Sequence, residues 1–396
     1  MSRWPVLLVL GAQLAFATAA HAQAQMEFIP SLSLFTVFDD NVLARAGGSA
    51  SRALQLRPSF EGNYESPLVR LLGLYSFDMQ ASNLSALNAF DARRHALGGA
   101  SFRASPFTTL GVAARYDRSE TPADIDIGLL GVQRPAERLE ITPTVARRLG
   151  PRTTLSGGYD WITERLVDGE RGELHIGRAG WSRDMTSRTS VTGSYVGRVF
   201  VDRVDHLDSA RSHAALVSWS RVMTAGTRVT LSAGPLFKTY GSTGVEASAA
   251  LARVTPRALL ALDYWHGDTI VIGVAGPVAV HSVTSRLSWP LTPRVELATS
   301  AGASTASRLD DRSSQTYYGT LVGSWSPGGL YSIGAAYEVD FQDGSIRNPV
   351  FIDGERALFD ERVLRHVFRV GVTVAPRYRR SILPPEEAAR AKGVTR

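Results

Sequence analysis

The chain is built from segments in which apolar and polar side chains alternate. In Tyr331–Gln342, aromatic and aliphatic side chains share one face, while Glu338 and Asp340 lie on the other. Because successive side chains of a strand point to opposite faces, each segment predicts a strand with one apolar and one polar face. The segments run to roughly 10 to 14 residues, which is long enough for a strand that crosses a bilayer.

Short turn sequences separate these segments at regular intervals. Eight of them carry Pro, Gly, Thr or Arg, and they begin at Ser66, Ser105, Gly150, Met185, Thr224, Thr255, Thr292 and Ser326. The connections between them are generally longer and more acidic, as in 121–137 and 343–361. Outer-membrane barrels have short periplasmic turns and longer outer loops. Eight such turns predict nine hairpins and therefore about 18 strands, with about 16 or 20 as the alternatives.

We therefore expect an all-β chain that forms a single transmembrane antiparallel β-barrel, with both termini in the periplasm. Ile270–Val280 is rich in apolar residues, but Gly273, Gly276 and Pro277 interrupt it, so it is too short for a transmembrane helix. A soluble all-β protein is the alternative, but its strands would average about 5 to 6 residues. The polar faces are rich in Gly, Ser, Thr, Arg and Asp, which favours a hydrated lumen.

The beginning of the chain has the pattern of a cleavable signal peptide over residues 1–22. Arg3 supplies a positive charge, Trp4–Ala19 is apolar, and Ala20-His21-Ala22 fits the small-x-small cleavage rule. We expect the barrel to occupy residues 23–374, in the outer membrane of a Gram-negative bacterium, and residues 375–396 to form a periplasmic tail. Outer-membrane lipid and the barrel-assembly machinery are the expected partners.

Arginine dominates the charge of the chain. Lys238 and Lys392 are the only lysines, and the formal net charge is +6. An arginine that faces lipid at mid-depth costs about 2–4 kcal/mol, so arginines on strands are expected to face the lumen. The alternation assigns seven residues to that face: Arg103, Arg115, Arg178, Arg198, Arg369, Glu338 and Asp340. A lumen of both signs is typical of diffusion porins, whereas an arginine bias suits an acidic polymer, and the pattern leaves both open.

The sequence gives little support to catalysis. None of the histidines has a metal-ligand spacing such as H-x-x-x-H. His206 and His213 lie near Asp208 and Ser209, but polar strand ends explain this clustering without a catalytic triad. We expect no enzyme activity, no metal, no cofactor and no nucleic-acid partner.

One short motif carries a family resemblance. Phe38-Asp39-Asp40-Asn41-Val42 lies at the end of the first predicted strand. An aromatic residue followed by Asp-Asp-Asn-Val at this place resembles a family of outer-membrane β-barrel porins whose members are often found with exopolysaccharide and capsule gene clusters. Asp-Asp-Asn is also good turn chemistry at a strand end. The resemblance implies a role in moving or anchoring surface polysaccharide.

Three functions are compatible with these observations. The resemblance favours a channel that takes part in export of a cell-surface polysaccharide, with an acidic polysaccharide and envelope export proteins as partners. The first alternative is a general diffusion porin for small anions or sugars. The second is a structural or adhesive barrel whose lumen is closed.

Overall fold

The computed structural model of the protein describes most of the predicted barrel. The predicted signal peptide, most of the 121–137 connection and the last part of the tail lie outside the described residues. The described residues are 24–42, 48–119, 135–166, 171–202, 210–272, 274–308, 312–344, 350–352, 355–357 and 362–382.

These residues form long β-strands and one short 3-10 turn at Ser85–Leu87. No helix in this part of the chain is long and apolar enough to span a membrane. The strands are β1 Ala24–Asp39, β2 Ser51–Glu65, β3 Val69–Ser82, β4 Ala89–Ser105, β5 Thr108–Ser119, β6 Ala136–Gly150, β7 Thr153–Leu166, β8 Arg171–Asp184, β9 Thr189–Asp202, β10 Ala210–Thr224, β11 Thr227–Lys238, β12 Gly244–Thr255, β13 Ala258–Val271, β14 Val274–Thr292, β15 Val295–Ser307, β16 Ser313–Trp325, β17 Tyr331–Gly344, β18 Val350–Ile352, β19 Glu355–Ala357, β20 Val363–Val374 and β21 Tyr378–Ile382.

The strands close into one antiparallel barrel of 18 strands, as predicted. Each strand from β1 to β17 pairs with the next, β17 pairs with β20, and β20 pairs with β1. The small β18–β19 hairpin lies outside this sheet. All eight predicted short turns connect neighbouring strands at one end of the barrel, which we call the short-turn end. The opposite end is called the long-loop end. The periplasmic position of the termini stays a prediction.

The first part of the predicted tail is a strand of the sheet. β21 pairs with the beginning of β1, from Ala24 opposite Ile382 to Phe28 opposite Tyr378. β20 pairs with the rest of β1, from Leu32 opposite Val374 to Asp39 opposite Val367. The two strands therefore share β1 along the line where the barrel closes, which we call the seam.

The pairing register separates the two faces of the sheet. Directly opposed residues point to the same face, so the alternation can be followed from strand to strand. One face carries an exposed apolar band that includes Leu34, Phe60, Trp181, Leu231 and Phe368. The other face is the interior, because Arg198 of β9 and Glu246 of β12 form hydrogen bonds across the two intervening strands.

Candidate functional site

The most unusual feature of the lumen is the hairpin β13–β14. Its ladder shifts register between Thr269 and Val271. Beyond this point Ile272 and Val278 are fully buried, in a cluster with Ala136 at the start of β6 and Leu166 at the end of β7. β6 and β7 lie on the far side of the barrel from β13 and β14. The hairpin therefore folds inward and crosses the lumen near the long-loop end.

A second apolar cluster supports the hairpin from below. Ile270 packs with Leu174 and Ile176 of β8, with Phe200 of β9 and with Leu236 of β11. These residues alternate with outward-facing ones, so they line the inner wall from β7 to β11. The expectation of a hydrated polar lumen is wrong for the part of this wall nearest the long-loop end, because the inward hairpin packs against its apolar side chains.

Polar contacts hold the base of the hairpin. Lys238 Nζ donates to Asp268 Oδ1 at 2.9 Å, and Tyr240 Oη donates to Asp268 Oδ2 at 2.7 Å. Tyr240 lies in the connection between β11 and β12. Burial, and then the Asp268 carboxylate, raise the pKa of the Tyr240 phenol, so the phenol stays a hydrogen-bond donor.

A buried ion pair completes this packed wall. Arg198 Nη1 and Nη2 donate to the two carboxylate oxygens of Glu246 at 2.8 and 2.7 Å. Both side chains are almost fully buried. The bidentate geometry satisfies both charges inside the wall.

The wall from β2 to β8 carries a second set of ion pairs. Each consists of an arginine and a carboxylate on the inner face of the same or a neighbouring strand. Arg57 donates to Asp78 at 2.5 and 2.8 Å, Arg115 donates to Asp117 at 2.6 Å, and Arg178 contacts Asp160. Asp78 also lies 3.7 Å from Arg93, Asp117 is hydrogen-bonded to His95, and Arg138 lies 2.9 Å from Glu164.

A cavity of about 750 Å³ lies between these two walls. Small and hydroxyl residues of β4 to β9 line one side, among them Ser101, Gly111 and Ser194. Arg178 and Arg198 also line it, and Trp265 and Asp268 bound it at the hairpin. The cavity therefore has a mixed lining of small, hydroxyl and apolar side chains, with Arg178 and Arg198 as its cationic groups.

The register puts all seven of the residues assigned to the lumen from the sequence on the inner face of their strands. Arg369 lies 3.1 Å from Glu338, and Asp340 is opposite Arg365. Arg103 is opposite Thr109 near the short-turn end. The structure does not bring the seven into one cluster, since they are spread over β4, β5, β8, β9, β17 and β20. Their part in transport stays a prediction.

The motif at the end of β1 forms the upper part of the seam. Asp39 accepts hydrogen bonds at 3.0 and 2.6 Å from Nε and Nη2 of Arg365, and both side chains are buried. Asn41 Nδ2 donates to the Leu364 carbonyl at 2.9 Å. The backbone N–H of His366 donates to Asp40 Oδ1 at 2.7 Å.

The motif's aromatic residue joins the same seam from outside. The rings of Phe38 and Phe368 lie 6.5 Å apart on the outer face. Val42 instead closes the turn after β1, where its N–H donates to the Ser49 carbonyl at 3.1 Å. Four of the five motif residues therefore contact the last long strand of the barrel.

Four charged residues that form ion pairs in the structure were not identified from the sequence: Arg57, Asp78, Glu246 and Arg365. Arg57 and Asp78 could have been found from the alternation, because both lie on polar faces of clearly patterned strands. Glu246 and Arg365 could not, because their importance depends on partners that are distant in the chain. Within the described ranges, no group of three or more histidine or acidic side chains is placed to hold a metal ion.

The closed barrel has an apolar exterior and carries its strand arginines and their carboxylates on the interior, as expected of an outer-membrane β-barrel. Trp181, Trp289 and Trp325 lie on the outer face near the short-turn end, where an aromatic girdle is expected. The protein is therefore placed in the outer membrane of a Gram-negative bacterium.

Comparison with known proteins gives matches only at the level of structure. No protein-family model matches the sequence, and no curated protein matches it. The chain is similar to OccAB4 of Acinetobacter baumannii, with 8% identity over 90% of this chain and 99% of that one, and a TM-score of 0.47. The outer membrane protein OpdK of Pseudomonas aeruginosa gives 12% identity over 90% and 99%, with a TM-score of 0.46.

The siderophore receptor PirA of Acinetobacter baumannii gives 7% identity over 91% of this chain and 81% of that one, with a TM-score of 0.40. These likenesses are too weak to carry a conclusion about this chain. The resemblance of the Phe38–Val42 motif to porins of polysaccharide gene clusters stays a prediction.

Proposed function

We propose that the protein is a passive outer-membrane channel for small polar solutes. The observation that carries this proposal is the partial filling of the lumen. The inward hairpin packs against the wall from β7 to β11, while inner-face side chains on β2 to β5, such as Arg57, His95 and Arg115, keep substantial exposure to solvent. A water-filled passage between the hairpin and this wall accounts for both facts.

The same geometry favours a small solute over a polymer. The hairpin crosses the lumen and leaves only part of the barrel's cross-section open. A polysaccharide chain needs a continuous wide path. Arg57, Arg115, Arg178, Arg198 and Arg369 each lie beside a carboxylate, which offsets much of the arginine excess that an acidic polymer would favour. Polysaccharide export is therefore the second candidate, supported by the motif resemblance alone.

The test is single-channel conductance of the purified full-length protein in planar lipid bilayers. We expect a small, persistent conductance for the wild type. A variant in which residues 270–278 are replaced by a short Gly-Ser turn should conduct several-fold better, because it removes the obstruction. A wild-type barrel that never conducts would support the closed-lumen alternative instead.

A deletion strain separates the two transport functions. We expect slower uptake of small solutes and unchanged surface polysaccharide. Loss of surface polysaccharide with normal solute uptake would contradict the proposal and favour export.

A further inference from the structure

Three ion pairs of the β2–β8 wall share an asymmetry of exposure. The side chain of Arg57 is 39% exposed and that of Asp78 is 2% exposed. The corresponding values are 47% and 11% for Arg115 and Asp117, and 48% and 2% for Arg178 and Asp160. In each pair the carboxylate is buried in the wall and the guanidinium faces the lumen.

The packed wall does not share this asymmetry. Arg198 and Glu246 are 7% and 8% exposed, so both charges are buried to the same extent and neither is presented in preference to the other. The pair between β20 and β17, outside both walls, is balanced as well, because Arg369 and Glu338 are exposed to a similar extent.

The asymmetry decides which charge a passing solute meets. A guanidinium has five N–H donors, and a carboxylate partner uses at most a few of them. Arg57 uses Nε and Nη2, and Arg115 uses Nε, in the hydrogen bonds to their carboxylates, so further N–H donors are left on side chains that are 39% and 47% exposed. A solute in the passage therefore reaches N–H donors first, while the compensating negative charge lies deeper in the wall. Charge-assisted hydrogen bonds from these donors stabilise an anion and not a cation.

We propose that Arg57, Arg115 and Arg178 form an anion-selective strip in the lumen, and that the solutes are small anions such as chloride and simple carboxylates. The inference rests on the proposed channel function and names its solute class. Selectivity comes from unequal burial within ion pairs, so it does not require a net positive lumen. Arg198 and Arg369 were assigned to the lumen on the same grounds as the other arginines, but they do not contribute.

The test uses substitutions that leave the net charge unchanged. The combined variant Arg115→Gln, Asp117→Asn, Arg178→Gln and Asp160→Asn removes two exposed guanidinium groups together with their buried carboxylates. The matched control is Arg198→Gln with Glu246→Gln, which removes one pair of equal burial. Each protein is reconstituted in planar bilayers, and the chloride-to-potassium permeability ratio is obtained from the reversal potential in a KCl gradient.

We expect the wild type to prefer chloride. The four-residue variant should lose roughly threefold or more of the permeability ratio, since each exposed charge acts on an ion a few ångströms away through water. The control should keep the wild-type ratio. Heat-modifiable migration on SDS gels confirms that each variant is folded, and Arg115→Gln with Asp117→Asn alone serves if the larger variant does not fold.

The outcomes separate the two levels of the proposal. A conducting four-residue variant with unchanged chloride preference would overturn the anion-selective strip and leave the channel function standing. A control that loses the preference as strongly as the four-residue variant would overturn it too, because burial would then be irrelevant. A wild-type protein without any conductance would overturn the channel function, and the strip with it.

Discussion

The two inner walls of the barrel use the same residue types for opposite purposes. On β2 to β8, arginines cover buried carboxylates and face water. Between β9 and β12, the bidentate pair Arg198–Glu246 is almost fully buried, with Arg198 directly opposite Ile176 of the apolar cluster that packs against the inward hairpin. The difference shows that the function of a charged lumen residue depends on what packs over it.

Releasing the hairpin from the lumen should have the largest effect, because it removes the packing that distinguishes the two walls. Ile272→Asp puts a carboxylate into a fully buried apolar position, which costs several kcal/mol and favours expulsion of the hairpin from the lumen. The barrel ladder does not depend on this residue, so the protein should still fold. We expect a several-fold larger single-channel conductance. Ile272→Val is the control and should conduct like the wild type.

The second prediction compares ion pairs between the walls. Glu246→Ala leaves Arg198 buried without its partner, and we expect a loss of about 3–5 kcal/mol in the free energy of unfolding. Arg115→Ala, on the β2–β8 wall, should cost about 1 kcal/mol or less, because Arg115 is half exposed and Asp117 keeps its hydrogen bond to His95. Urea unfolding of the barrel in lipid vesicles measures both. If the two variants lose the same free energy of unfolding, the ion pairs of the two walls do not differ in the way proposed here.

The third prediction concerns the seam, where we expect a destabilisation between those of the two preceding variants. Asp39→Asn removes the charge that compensates the buried Arg365, and we expect destabilisation by roughly 3 kcal/mol. The matched control is Asp78→Asn, which also affects a buried carboxylate, but in a pair whose arginines Arg57 and Arg93 are partly exposed to water. Its loss should be smaller. The temperature at which heat-modifiable migration is lost gives the ranking of the two variants.

The smallest predicted effect concerns the base of the hairpin. The folded protein raises the pKa of Tyr240 above the unfolded value of about 10, so its contribution to stability is complete below that pH and declines above it. Tyr240→Phe should lose about 1 kcal/mol at neutral pH through the missing hydrogen bond to Asp268. The difference from the wild type should shrink between about pH 9 and about pH 11. If the difference in stability grows with pH instead, folding does not raise the pKa of Tyr240.

Much of the barrel follows from local sequence. The alternation in Tyr331–Gln342 and the turn residues beginning at Ser66 and Thr292 predict strands and connections, because side-chain direction and turn geometry depend on neighbouring residues. The same rule puts Arg115 and Arg178 on inner faces. These local signals were sufficient for the strand count of 18.

The arrangement inside the barrel could not be predicted in the same way. The apolar run 270–280 has no local feature that distinguishes a lipid-facing segment from a hairpin that packs across the lumen. The pairing of Arg198 with Glu246 joins residues on strands that are not neighbours. Asp39 has a plausible local role in a turn, and only the closed barrel shows its contact with Arg365, which lies 326 residues further along the chain.

The seam also has a consequence for assembly. Until Arg365 reaches Asp39, β1 and β20 are both edge strands with unpaired N–H and C=O groups, and such edges template aggregation. The edges cannot meet before nearly the whole chain has been exported, and contacts of such long sequence separation form slowly. If the strands pair in chain order, an open sheet with two free edges precedes closure, and those edges need protection from other chains. The burial of Asp39 and Arg365 marks the end of that vulnerable period.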